Sequence, residues 1–430
     1  MKKCLVIGGG IAGLTAASIL SLNKIKVTLT ESSPKSGGRT YSFHDSESGD
    51  VIDNGQHILM GCYDYTLSFL KLIEAENNFD YQKNLKLVFI DEDKSVSKID
   101  ASNFFYPINI IKAFLDYDKI SASEKFKFIV FVIKLPLIRK KSLSRLTVIE
   151  WLKKEKQSDN IIKSFWEVLC VGAMNTSTSK ASALLFHNIL LKIFFGGNQA
   201  STIILPKYGL SQSIIDPALN YIKNNGGQIN LSESVKEIKI IKHKVESVLT
   251  DKNIYEDFDY VISAVPLYAL SKIIDKEQLD IRCNFQYPTI LNIHLWLKDY
   301  NLDEQFYGLL NSELHWIFSK GNHINVVASN ADIIAAKSND EIIRFVKSEL
   351  NKFLDIGENQ IIRFKIIKEK RATFLPDVES NFSRPDALTK IKNLLLSGDW
   401  TNTGLPATIE GAAKSGFAAA NIVLKNLTEK

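Results

Sequence analysis

An apolar run, Cys4-Leu5-Val6-Ile7, breaks into Gly8-Gly9-Gly10-Ile11-Ala12-Gly13, and a helix-forming run from Leu14 to Leu20 follows at once. A strand, a G-x-G-x-x-G turn and a helix in that order form the first part of a βαβ unit that holds a dinucleotide. The second strand is expected at Lys26–Thr30 and ends at Glu31. Gly8 permits the tight turn, Gly10 removes the side chain that would keep the backbone off a pyrophosphate, and Gly13 lets helix and strand pack closely. Phosphates then meet the free N–H groups of the helix start, at Ile11 and Ala12, where the dipole also favours anions. Glu31, about 20 residues beyond the glycines, accepts from ribose hydroxyls and repels a 2′-phosphate.

With 430 residues, 45% of them hydrophobic, the chain exceeds what one core usually supports, so two domains are expected. A net charge of +5 is mild at this size, and the basic residues are spread along the chain, which argues against nucleic acid as a partner. Cys4, Cys62, Cys170 and Cys283 are far apart and form no C-x-x-C pair, so neither a metal site nor a disulfide framework is expected. Met1-Lys2-Lys3 before an apolar run imitates a signal peptide, but the three glycines inside it argue against one and for a cytoplasmic protein. No window supplies the ~20 uninterrupted apolar residues that span a bilayer.

Downstream, Gly37-Gly38-Arg39 offers N–H groups and a guanidinium to a second anionic group, although such a tripeptide is also an ordinary exposed turn. Residues 64–202 read as mainly helical, with the apolar segments Phe104–Pro107 and Phe126–Ile138 edged by Lys134, Arg139, Lys140, Lys141 and Arg145. Apolar faces with basic margins suit a helix lying in a membrane interface, or equally a buried helix pair. From about 203 the chain returns to the nucleotide domain through Pro206-x-x-Gly209-Leu210-Ser211, short β runs and the strand at Phe258–Pro266. Strands dominate 276–388, expected as an antiparallel sheet flooring a substrate cavity. The last segment, 389–430, carries a strand ending in Gly398-Asp399 and a helix opened by Thr408-Ile409-Glu410-Gly411. Nucleotide elements at both ends of the chain require an extended cofactor held at two places, which favours FAD over NAD.

These motifs resemble the FAD-dependent amine oxidase and phytoene desaturase superfamily from end to end. The strings Asp53-Asn54-Gly55-Gln56-His57, Pro206-x-x-Gly209-Leu210-Ser211 and Leu396 to Ala412 are similar to its squalene-associated branch, the hydroxysqualene dehydroxylases. The resemblance implies an α/β fold: a Rossmann-like, glutathione-reductase-type FAD-binding domain from 1–63, 203–275 and 389–430, with an interleaved α+β substrate domain from 64–202 and 276–388. It implies that Gly8, Gly10, Gly13, Gly38 and Arg39 receive the pyrophosphate, Glu31 the adenosine ribose, Val235 the adenine, and Gly398 and Asp399 the ribityl or phosphate region. Thr408 and Ile409 would start a helix beside the flavin, whose N-terminus stabilises the negative charge of the reduced ring; Thr408 is otherwise a plain N-cap. Where amine oxidases carry a lysine beneath the flavin, this chain has Asn292, which removes support for amine oxidation.

The reaction implied is loss of the hydroxyl of a C30 allylic alcohol and delivery of hydride from reduced flavin, giving squalene for hopanoid biosynthesis, with an electron donor to reduce the flavin. It needs an acid for the departing water. His57 is the first candidate, because imidazolium is available near neutral pH, with Asp53 and Gln56 to orient it; a lone histidine is otherwise structural. Trp296, Trp316, Trp400 and Tyr208 offer π-faces to an allylic cation. Two other readings are a carotenoid-type desaturase and a non-catalytic prenyl-lipid carrier. A C30 hydrocarbon partner implies peripheral membrane contact through residues 104–141, on the inner face of the plasma membrane.

Overall fold

The structure, a computed structural model, describes residues 1–357 and 360–428. In chain order, strand β1 (Lys3–Ile7), helix α1 (Ile11–Leu22) and strand β2 (Lys26–Thr30) are followed by the hairpin β3 (Ser42–His44) and β4 (Val51–Asp53) and by helix α2 (Asp64–Leu72). Next come strands β5 (Lys86–Ile90) and β6 (Val96–Asp100) and helices α3 (Ile108–Asp116), α4 (Ala122–Lys134) and α5 (Ala183–Phe195). Strands β7 (Gln228–Asn230), β8 (Tyr260–Ser263), β9 (Ile290–Leu297), β10 (Phe306–Leu309), β11 (Trp316–Ser319), β12 (Ile324–Ala328), β13 (Ile361–Glu369) and β14 (Leu394–Leu396) precede helix α6 (Ile409–Thr428).

One sheet is wholly parallel, in the order β7-β2-β1-β8-β14. Its central strands are continuous apolar runs because both faces are covered. Cys4, Val6, Val27, Leu29, Ile262 and Leu395 point to α1 and α6. Leu5, Ile7, Val261, Leu394 and Leu396 point to an antiparallel meander at Val235–Ile241, Lys244–Thr250 and Ile254–Tyr255. Three stretches far apart in the chain thus share one sheet.

The second sheet has the order β13-β9-β12-β11-β10-β5-β6 and is antiparallel except where β10 runs beside β5. Here the fold departs from expectation, since β5 and β6 lie in the stretch read as mainly helical. The two five-residue strands flank the turn Asp91 to Ser95, with Lys94 at φ 62°. This is a period-two signal too short to stand out among long helical runs. One face of the sheet buries Leu291, Ile293, Leu295, Ile317 and Val326 under the helix Asn339–Leu350. The opposite face presents Asn292, His294 and Trp296 from β9 at one side, and Trp316, Phe318, Phe306, Leu87 and Phe89 at the other. That face is polar at one end and aromatic at the other. Helices α3, α4 and α5 close over the aromatic end with a core built on Phe114, Phe128, Phe131, Trp151 and Trp166.

Candidate active site

The glycine turn stands at the carboxyl ends of β1 and β2, where open parallel sheets hold ligands. A cleft of about 310 Å³ opens there among Gly8, Glu31, Glu233, Val235 and Val265. Gly8 lies at φ 103°, and a Cβ on Gly13 would stand 2.0 Å from the Gly8 carbonyl oxygen, so the protein's own packing demands both glycines. Gly10 differs: a Cβ there would meet only the Gly38 Cα, at 3.9 Å. Its bare backbone leaves room beside the turn that the protein's own packing does not use. Gly10 caps α1 without a side-chain hydrogen bond, and the first turn holds no acid, so the N–H groups of Ile11, Ala12 and Gly13 are available to an anion.

The Gly37 loop closes against this turn, with the Gly37 N–H donating to the Gly9 carbonyl at 2.8 Å and Gly38 at φ 60°. The Glu31 carboxylate accepts from the Gly9 N–H at 2.7 Å and the Ser33 N–H at 2.8 Å, which fixes it at the cleft with lone pairs left for hydroxyl donors. Thr30 Oγ1 and Ser36 Oγ are buried at this end without a partner among the described residues. Val235 opens the meander and lines the cleft beside Glu31. These residues fit a dinucleotide.

The closing segment comes to the same place. Arg39 donates to Asp399 at 2.8 Å and to the Ala372 carbonyl at 2.6 Å. Gly398 lies at φ 144°, where a Cβ would collide with the Trp400 ring at 2.5 Å. Thr408 Oγ1 accepts from the Gly411 N–H at 3.1 Å and so caps α6, while Ile409 enters the core between α1 and α6. Two residues that sequence reasoning passed over hold this segment. Buried Arg384 donates to the carbonyls of Leu405 and Asp399, and Glu410 accepts from the Tyr65 and Thr66 N–H groups at the start of α2.

The Asp53 to His57 string meets the polar end of the second sheet, and its chemistry differs from expectation. Asp53 commits its Oδ1 to the Ser42 hydroxyl at 2.7 Å and the Leu210 N–H at 2.9 Å, tying that string to the Pro206 to Ser211 motif. Gln56 engages through its backbone, donating to Asn292 Oδ1 at 3.2 Å, while its own Oε1 is buried without a partner among the described residues. His57 bonds the Arg39 backbone and leaves Nε2 buried without a partner among the described residues. Its depth in the protein lowers its pKa to about 4 against the raising effect of Asp53. The expected standing imidazolium is therefore corrected: His57 is neutral at pH 7, because desolvation outweighs the nearby carboxylate. Lys320 reaches Asp53 Oδ2 at 3.6 Å from the turn between β11 and β12. His294 Nδ1 lies 3.0 Å from His323 Nε2, and Trp296 donates to Asp50 at 2.7 Å. Polar Asn292, His294 and Trp296 recur at period two in a strand, a signal the sequence did carry.

One residue past His57 the surroundings become apolar. A cavity of about 80 Å³ runs from Ile58 and Met60 past Phe89, Phe114, Phe194 and Trp316, with Tyr63 and Ser201 as its polar side chains. Of the four aromatic candidates only Trp316 lines it. Trp296 belongs to the polar end under the Arg363 guanidinium, Trp400 donates to the Val265 carbonyl, and Tyr208 is half exposed. Helix α3 places Ile110 and Phe114 on the cavity and leaves Ile108, Ile111 and Leu115 on the outside, next to Phe104 and Phe105, which are 65% and 71% exposed. Phe126, Ile133 and Leu137 are also exposed. Among the described residues no helix is long and apolar enough to cross a membrane.

The profile described as flavin containing amine oxidoreductase matches residues 11–424. A hydroxysqualene dehydroxylase of Zymomonas mobilis subsp. mobilis is 28% identical over 427 residues, spanning 98% of this chain and 99% of its own. A 15-cis-phytoene desaturase of Synechococcus elongatus is 22% identical over 462 residues, spanning 99% of this chain and 96% of its own. Among solved structures, an oxidoreductase from Methanosarcina mazei superposes with a TM-score of 0.77 at 18% identity, with both chains covered in full, and shares the fold.

Proposed function

The chain belongs to the flavin-containing amine oxidoreductase family, and from that membership we propose that it removes the hydroxyl of hydroxysqualene reductively to leave squalene, a step of squalene and hopanoid biosynthesis. It is an FAD-dependent oxidoreductase. Segments 1–63, 203–275 and 389–430 act together as the FAD-binding domain, with 64–202 and 276–388 as the substrate domain.

Within that reading Gly8, Gly10, Ile11, Ala12, Gly13 and Gly38 hold the pyrophosphate by backbone, Glu31 holds the ribose and Val235 the adenine. Arg39, Gly398, Asp399, Thr408 and Ile409 frame the far part of the cofactor. Bound FAD, when reduced, supplies the hydride. The alcohol, hydride and one proton balance as hydrocarbon plus water. The protein's share is to exclude water, to hold the allylic carbon and to pass a proton to the departing oxygen through His57 Nε2, which has no hydrogen-bond partner among the described residues and, being neutral at pH 7, takes the proton up before giving it. Asp53 and Gln56 fix the backbone that carries His57, through Leu210 and Asn292.

The observation that carries this reading is the aromatic, almost wholly apolar cavity lined from Ile58 onward, the residue that follows His57 in the chain. Such a lining rewards a hydrocarbon and offers an amine or a sugar little to bond beyond Tyr63 and Ser201. At about 80 Å³ the cavity holds only part of a C30 chain, so entry spreads the Phe114 and Phe194 rings. The exposed apolar surface of residues 104–141, edged by lysines, then rests on the inner face of the plasma membrane, where such a substrate resides. The second reading, a carotenoid-type desaturase, uses the same cavity with hydride moving to the flavin. Anaerobic incubation with reduced FAD and hydroxysqualene separates the two: squalene supports the first, whereas phytoene consumption without squalene reverses the order.

A further inference from the structure

Two glycines from different elements close on the ring of Trp316. On the second sheet, Asn292, Val327, Trp316, Gly308 and Phe89 stand opposite one another on β9, β12, β11, β10 and β5, so their side chains share one face. The row starts at the polar end, where Asn292 Oδ1 accepts from the N–H of Gln56, the residue before His57. Trp316 stands two strands further on, about 10 Å away by the ordinary strand spacing. It lines the apolar cavity there, and the next position in the row carries no side chain.

Neither glycine is demanded by its own backbone, since Gly308 in β10 and Gly172 in the helix Glu167–Met174 both lie outside the left-handed region. Glycine weakens a helix or a strand, so each of these marks a need for space. A Cβ on Gly172 would stand 3.1 Å from Trp316 Cζ2. One on Gly308 would stand 3.2 Å from Trp316 Cζ3 and 2.6 Å from Phe89 Cδ1. The six-membered ring of the indole is thus clasped between a helix backbone and a strand backbone, and it meets the Phe89 ring over Gly308. Phe114 is held differently, by rings of the helical core: Phe128, Phe165 and Phe194 lie 4.3, 4.9 and 6.1 Å from it. The slot for Trp316 is made by side chains left out.

We propose that Trp316, seated between Gly172 and Gly308, is a specificity-determining residue that sets how long a hydrocarbon chain the cavity admits. This rests on the proposed function for the class of substrate, a hydrocarbon whose reacting carbon lies by His57. The chain beyond that carbon runs along the aromatic end of the sheet, where the indole fills the width that Gly308 leaves open. A longer polyene meets the ring, and the two glycine backbones behind it leave the ring no room to retreat. In an apolar pocket a single methylene too many already discriminates between substrates.

The test measures binding and needs no turnover. FAD-loaded parent and variants are equilibrated with tritiated hydroxysqualene or tritiated phytoene in the same detergent, and bound ligand is counted after gel filtration. The parent binds hydroxysqualene the more tightly. Trp316→Ala lowers the ratio of the phytoene Kd to the hydroxysqualene Kd by about tenfold or more. Trp316→Leu lowers it less and serves if the alanine variant does not fold. Gly172→Ala presses a methyl group on the indole and weakens both ligands, and combining it with Trp316→Ala restores them. An unchanged ratio in a folded Trp316 variant overturns the proposal, because a merely structural tryptophan moves both ligands alike. A Gly172→Ala loss that persists in the double variant, or a parent that binds phytoene as tightly as hydroxysqualene, overturns it too. Absence of squalene from the anaerobic reaction with reduced FAD, with the ratio shift intact, overturns only the reaction assignment.

Discussion

Arg39 and Asp399, 360 positions apart in sequence, meet at 2.8 Å and join the opening glycine loops to the closing segment of the cleft. The aspartate is 6% exposed. Arg39→Ala leaves that carboxylate buried without its strongest partner. The expected outcome is a loss of roughly 1–3 kcal/mol of apoprotein stability by chemical denaturation. A drop in flavin absorbance per polypeptide after gel filtration accompanies it. Retention of full flavin would separate the ion pair from the cofactor site.

Gly10 and Gly13 make opposite predictions although they belong to one motif. Gly13→Ala forces a methyl group onto the Gly8 carbonyl and costs about 1–3 kcal/mol, seen as a lowered denaturation midpoint with or without FAD. Gly10→Ala meets nothing nearer than 3.9 Å, so the apoprotein keeps its midpoint while affinity for FAD falls. Equal destabilisation by both would refute the assignment of Gly10 to the pyrophosphate.

Burial holds His57, His294, His315 and His323 near pKa values of about 4, 3, 4 and 4. The unfolded chain takes up these protons near pH 6.5, the native chain only at lower pH, so the unfolded state binds more protons between pH 6.5 and about 4. Stability is therefore complete above pH 6.5 and is lost progressively as pH falls towards 4, by roughly 1–3 kcal/mol per histidine. Urea midpoints measured from pH 7.5 to 4.5 test this, and His315→Asn, away from the Asp53 cluster, flattens the slope.

Phe104 and Phe105 are too exposed to support the core. Replacing both with serine leaves the unfolding free energy unchanged within about half a kcal/mol and lowers co-sedimentation with vesicles containing anionic lipid. Equal binding by variant and parent would remove residues 104–105 from the membrane contact.

The nucleotide half of the fold was legible because its signals are local and redundant. The strand expected at Lys26–Thr30 has those bounds in the structure, and the Gly8 to Gly13 string carries its geometry in its glycines. The polar end of the second sheet was not, for two physical reasons. The proton affinity of His57 depends on how deeply the fold buries it, which no neighbour in sequence reports. Lys320 and His323 reach Asp53 and His294 only because a turn between β11 and β12 lands on β4, a pairing that no string of adjacent residues encodes. Strands β5 and β6 were hidden for a different reason, being two short alternating runs inside a stretch of long helices.

At Gly416 a single added carbon would lie 2.5 Å from the carbonyl oxygen of Ala12, so α6 and α1 touch backbone to backbone. A ribosome that has released residues 1–390 has made every other wall of the nucleotide sheet yet lacks both its β14 edge and this helix. The flavin pocket is consequently a late event in the life of the nascent chain. Until translation passes Gly416, the side of α1 that α6 covers stands bare, a natural target for chaperone capture and a reason for premature stops near the end to yield insoluble, colourless protein.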